Sequence, residues 1–92
     1  MTQVHLFIGG YVHSVGFRRF VQAKAEVLHL TGWVRNLSDR RVEVVAQGSK
    51  ESLEKLIDFC KKGPFMAEVK GVSMTWEEIK QPLADFQILQ TE

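Results

Sequence analysis

Val4, Leu6 and Ile8 alternate with Gln3, His5 and Phe7, but from Phe17 the period changes, and Phe17, Phe20, Val21, Ala25 and Leu28 fall near one side of a helix. This change of period constrains the fold more than any other feature. A strand with one apolar face and a helix with one apolar stripe cannot bury those surfaces alone, so the two must pack in layers. Residues 3 to 9 are predicted as a strand ended by Gly9-Gly10, and residues 17 to 29 as the first helix.

The rest of the chain continues the pattern. Residues 31 to 37 and 41 to 47 read as two strands; in the second, Val42, Val44 and Ala46 alternate with Glu43, and Ser38-Asp39-Arg40 supplies turn formers between them. A hairpin is expected there. Ser49 suits a helix N-cap and Glu51 and Glu54 suit its positive end, while Leu53, Leu56, Ile57 and Cys60 form an apolar stripe. Lys61-Lys62-Gly63-Pro64 then ends this second helix with cations, a left-handed cap and a proline. In residues 67 to 76 the spacing of Val69, Val72, Met74 and Trp76 slips by one near Gly71, which predicts a bulged strand, and Phe86 and Ile88 mark a last strand. The order β, α, β, β, α, β specifies an α+β, ferredoxin-like split βαβ sandwich: an antiparallel sheet with both helices on one face. At 92 residues the chain is too short for a second core, so residues 1 to 92 are expected to form one domain.

Charge narrows the function classes. Twelve Lys and Arg against 11 Asp and Glu leave a formal charge of +1, so no broad field favours nucleic acid or an anionic membrane, and any anion site must be local. No apolar run approaches a membrane span, and Met1-Thr2-Gln3-Val4-His5 lacks the pattern of a signal peptide; a cytoplasmic protein is the expectation. Cys60 is the single cysteine and excludes an internal disulfide.

A local anion site has one candidate position. Gly9-Gly10-Tyr11-Val12-His13-Ser14-Val15-Gly16-Phe17-Arg18 leaves the first strand and enters the first helix. Unpaired amides at a helix start, a glycine-containing loop and a forked guanidinium can together hold a phosphate or carboxylate. The same segment also fits an ordinary strand-to-helix connection. Its spacing is not that of the G-x-x-x-x-G-K-[ST] nucleotide loop, so ATP and GTP are not implied.

Two blocks of residues go further. Gly10-Tyr11-Val12-His13-Ser14-Val15-Gly16-Phe17-Arg18 and Gly32-Trp33-Val34-Arg35-Asn36 resemble the two signatures of the acylphosphatases, G-x-V-Q-G-V-G-F-R and G-W-V-x-N, at the family's spacing. The resemblance continues through Val42-Glu43, Gly48, Gly63-Pro64, Ala67-x-Val69 and Phe86-x-Ile88. It implies a ferredoxin-like enzyme that hydrolyses the carboxyl–phosphate bond of acyl phosphates. The phosphate is expected on the backbone amides of His13, Ser14, Val15, Gly16, Phe17 and Arg18 and on the Arg18 side chain, with water positioned by Asn36. Partners implied are a small acyl phosphate and inorganic phosphate, the latter as product and competitive inhibitor, with no nucleic acid, no membrane and a monomeric chain. No cofactor is expected. His13-Ser14 stands where the family has Gln-Gly, and the Cβ of Ser14 opposes a backbone angle that glycine accepts freely. Arg40 replaces a common glycine and should affect the hairpin turn.

The remaining candidates have plainer readings. His5, His13 and His29 lack metal-ligand spacing, so no metal site is expected. Cys60 belongs to an apolar stripe and reads as packing, as do Trp33 and Trp76. RNA recognition would require aromatic residues on the strand at 41 to 47, which has none. A phosphate-binding accessory unit without turnover is the closer rival, and the presence of both Arg18 and Asn36 argues against it.

Overall fold

Alternation along β1 (Thr2–Tyr11) buries Val4, Leu6 and Ile8 completely on one face and leaves Gln3, His5 and Phe7 partly covered on the other. The computed structural model describes all 92 residues. After β1 come α1 (Phe17–Val27), β2 (Thr31–Asn36), β3 (Val42–Gly48), α2 (Lys50–Lys62), β4 (Glu68–Glu77) and β5 (Phe86–Ile88). The sheet order is β4-β1-β3-β2-β5, and β4, β1, β3 and β2 pair antiparallel as the ferredoxin-like reading requires. Phe17, Val21 and Ala25 of α1 and Leu53, Leu56, Ile57 and Cys60 of α2 join Val4, Leu6, Ile8, Val34 and Val44 in one hydrophobic core. Both helices therefore cover the same face of the sheet.

Several boundaries differ from expectation, each for a local reason. Gly9-Gly10 does not end the first strand: β1 continues to Tyr11 by pairing with β4, where Gly9 faces Gly71 and Gly10 faces Val69. Lys70 is the extra residue of that bulge, which accounts for the slip in hydrophobic spacing. The first helix stops at Val27 rather than at residue 29. His29 takes a left-handed φ of 58°, and the Leu30 and His29 amides bond back to Ala25 and Glu26, a Schellman closure that turns the buried Leu30 inward. The sheet is not wholly antiparallel either, because β5 adds a short edge parallel to β2, with Val34 opposite Ile88. Arg40, at φ 80°, takes the left-handed position in the hairpin turn between β2 and β3.

The two tryptophans are not core residues. Trp33 alternates out of the core beside the buried Val34 and carries the Arg35 guanidinium 4.8 Å above its ring, while Trp76 lies on an edge strand and is 39% exposed. Cys60 does pack as expected: it is fully buried, and burial pushes its thiol up to about 12, away from thiolate chemistry.

The helix-free face of the sheet has its own organising contact. Glu43 is 6% exposed and accepts from His5 Nε2 at 2.6 Å and Arg35 Nε at 2.7 Å, tying β1, β3 and β2 together. Burial pushes the Glu43 carboxyl up, but the hydrogen bonds from His5 and Arg35 and the arginine charge outweigh it and hold the group below its usual range. A depressed carboxyl stabilises the fold above its unfolded pKa and loses that contribution as pH falls through the folded value. Acid unfolding of the wild type should therefore steepen below about pH 4.5, the ordinary value for this group, and Glu43→Gln should flatten that dependence. Denaturant midpoints measured from pH 3 to pH 7, a range chosen to bracket the usual carboxylate values, check this.

Gly32 shows the closest approach in the sheet. At φ 144° its Cα lies against the Val45 carbonyl, which an added Cβ would strike. Gly32→Ala should cost roughly 2–5 kcal/mol, combining backbone strain with overpacking, and a chemical melt reads it directly.

Candidate active site

The two helices begin differently. α2 starts in the ordinary way, with Ser49 Oγ accepting from Ser52 N at 3.1 Å and Glu51 in the first turn. α1 has no side-chain cap and no acid in its first turn, and instead places Arg18 and Arg19 at the positive end of its dipole. That arrangement is intrinsically unfavourable for a helix and becomes favourable with an anion in front of it.

The loop before α1 is anchored at both ends. Val12 and Phe17 are almost fully buried, and Val15 packs against the core between them. With those three side chains held inward, the backbone bends at Ser14, φ 59°, and at Gly16, φ 76°. Left-handed residues spaced in this way turn successive N–H groups toward one concavity. Ser14 holds this conformation despite its Cβ, at a cost of about 1–2 kcal/mol relative to a right-handed residue. None of the backbone N–H groups of residues 13 to 19 donates to any group of the chain. They form a continuous run of free donors.

Asn36 reaches the same place by the register of the sheet. It pairs with Val42, which in turn pairs with Ile8, so its side chain lies on the helix-bearing face just beyond the buried Val34. Arg18 and Asn36 thus face one hollow of about 310 Å³ together with Ser14, Gly16, Arg19 and Ile88. Of the residues expected at the site, His13 and Val15 do not line it with their side chains: Val15 is turned to the core, and His13 Nε2 lies 3.0 Å from the Arg41 carbonyl. Sequence reasoning missed Arg19 and Ile88. Arg19 carried a signal, as a second cation in the first turn, whereas Ile88 enters only because β5 pairs parallel to β2.

No three His, Cys, Asp or Glu side chains gather in a way that would hold a metal ion. No helix is long and apolar enough to cross a membrane. A larger hollow of about 580 Å³ lies on the opposite face of the sheet, beneath residues 77 to 83. Its Gln3 and Gln47 side chains are already engaged, since Gln47 bonds Gln3, the Gln81 carbonyl and the Leu83 amide, and its lining includes the acidic Glu77 and Glu78 and no arginine.

Comparison with known proteins identifies the family. Residues 4–88 match the family model described as Acylphosphatase. An acylphosphatase of Chloroflexus aurantiacus is 44% identical over 78 residues, covering 85% of each chain. One of Caldanaerobacter subterraneus subsp. tengcongensis is 47% identical over 85 residues, covering 92% of this chain and 94% of that one. The crystal structure of acylphosphatase from Bacillus subtilis superposes with a TM-score of 0.94 at 35% identity, over 97% of this chain and 99% of the other. With residues 4–88 matching the family model and the fold shared over nearly the full length, the chain belongs to the acylphosphatase family of hydrolases.

Proposed function

We propose that this chain hydrolyses acyl phosphates to a carboxylate and inorganic phosphate, holding the phosphate on the amides of residues 13 to 18 and on Arg18, and the attacking water on Asn36. The observation that carries this reading is that the N–H groups from residue 13 onward have no partner within the chain, and that Ser14, Gly16 and Phe17 of this segment line the same hollow as Arg18 and Asn36. Donors without internal partners are preorganised for an anion, and a guanidinium adds two parallel charge-assisted bonds.

The step needs little beyond placement. Water on the Asn36 side chain attacks phosphorus in line; the new P–O bond forms as the bond to the acyl oxygen breaks, and that oxygen leaves as part of a carboxylate. One water proton passes to a phosphate oxygen, and the negative charge on the equatorial oxygens is met by the amides and Arg18. A carboxylate is a stable leaving group, so no strong general acid is required, and a metal ion is not needed to generate the nucleophile. Both halves of the site come from one chain, so a monomer suffices. Inorganic phosphate, as product, should compete for the same amides.

Purified protein in excess chelator should hydrolyse benzoyl phosphate, followed by ultraviolet absorbance, with inorganic phosphate acting as a competitive inhibitor. Asn36→Ala should lower kcat by about a hundredfold or more while still binding phosphate, because it displaces the water but not the cradle. Arg18→Ala should weaken phosphate binding by on the order of a hundredfold, through loss of charge-assisted hydrogen bonds worth about 1.5–3 kcal/mol each. Equal loss of binding in both variants would contradict the separate roles, and activity abolished by chelator would contradict metal independence.

A further inference from the structure

We propose that the His13 imidazole is a positioning residue that sets the spacing between the two halves of the active site. This rests on the reading above, in which the loop holds phosphate and Asn36 holds water.

The geometry turns on a single carbonyl. Arg41 O accepts the Leu37 N–H at 2.8 Å, closing the hairpin immediately after Asn36, and it also lies 3.0 Å from His13 Nε2. A carbonyl oxygen has two lone pairs; here one receives the chain that bears Asn36 and the other receives the loop that bears the amides. Since the acceptor is a carbonyl, the imidazole must present an N–H at Nε2. The Arg41 side chain is engaged elsewhere, with its guanidinium 2.8 Å from Asp39 Oδ2 and over the Phe7 ring.

The sheet does not provide this link by itself. The β1–β3 ladder ends at the Ile8–Val42 pair, and from Gly9 to Tyr11 the strand pairs only with β4, on the side away from Asn36. Beyond that point, residues 12 to 16 make just one other hydrogen bond, in which the Phe20 N–H of α1 donates to Gly16 O. Packing of Val12 and Val15 fixes the depth of the loop. His13 is its one polar tie to the hairpin.

The consequence falls on turnover rather than on affinity. The phosphate contacts lie within the loop and Arg18, so loosening the loop relative to Asn36 leaves them together but misplaces phosphorus from the water. An error of about 1 Å in such placement can cost on the order of a hundredfold in rate. The family signature has Gln at this position, and its amide also carries an N–H donor for a carbonyl. Imidazole does the same task with fewer rotatable bonds, so less side-chain entropy is lost in forming the tie.

His13→Ala and His13→Gln, compared with wild type, test this through kcat and KM for benzoyl phosphate, the inhibition constant of inorganic phosphate, and melting temperature. The expected result for His13→Ala is a kcat lowered about tenfold or more with the phosphate inhibition constant changed less than about twofold, and recovery of most of the loss in His13→Gln. A kcat for His13→Ala equal to wild type, a loss confined to phosphate affinity, or equal losses in the Ala and Gln variants would each overturn the proposal. If wild type itself fails to hydrolyse benzoyl phosphate, the underlying reading falls, and the tie is then read by NMR. The Arg41 carbonyl carbon resonance should move in His13→Ala and not in His13→Gln, and an unmoved resonance in both overturns the tie itself.

Discussion

Val42 stands between Ile8 on one side and Asn36 on the other, and this three-residue row is where the sheet hands over from core to active site. Ile8 and Val42 are fully buried under the helices, so the register of β1, β3 and β2 is held by the burial of every second residue along three strands. A slip of one residue would turn Val4, Leu6 and Ile8 outward and would also rotate Asn36 to the opposite face. Core packing and site geometry are therefore one constraint. Asn36 is thus placed by hydrophobic burial several residues away, with the Glu92 amide bonding its carbonyl at 3.0 Å.

Around that row the molecule distributes its local order unevenly. α2 has a serine cap, an acid at its start, two lysines at its end and a left-handed glycine closing it, all in agreement with its backbone dipole. α1 lacks the cap, begins with two arginines and follows a loop in which Ser14 is left-handed. Such local conflicts gather where function requires them and are tolerated because neighbouring elements over-determine the fold. Here the restraint comes from Val12, Val15 and Phe17, whose burial holds the loop in a conformation that its own backbone preferences oppose.

The helix-free face shows a different solution to a related problem. Glu43, Arg35 and His5 come from three adjacent strands and satisfy one another, with Arg35 stacked over Trp33. A carboxylate covered to this extent needs its partners, since an unpaired one would be costly. Together with the Gln3–Gln47 pair, this makes a polar counterpart to the hydrophobic row on the other side of the same strands. The two faces of β3 are thus both buried, one by helices and one by its own cross-strand partners.

What could be read without coordinates follows from periodicity and local chemistry. The shift from period two to helical period at Phe17, the Ser49 cap, the Gly63-Pro64 stop and the slipped spacing near Gly71 are all short-range signals, and they yielded the elements, the ferredoxin-like order and the bulge. The signature residues Arg18 and Asn36 were legible for the same reason, since each sits in a contiguous block. The errors arose where distant chain segments compete with local preference. Gly9-Gly10 stays in a strand because β4 offers a partner, Trp33 leaves the core because Val34 already occupies the inward position, and β5 runs parallel along the outer edge of β2, a strand some fifty residues away about which its own three residues carry no signal. Ile88 beside Asn36, and the Arg41 carbonyl shared by His13 and Leu37, join residues far apart in the chain and have no local sequence signal. The sequence by itself determined which segments become strands and helices and which contiguous blocks bring Arg18 and Asn36 to the ends of their elements, because those depend on neighbours within one or two turns. Only the tertiary structure decided which of these residues meet, because that depends on strand register and burial summed over the whole sheet.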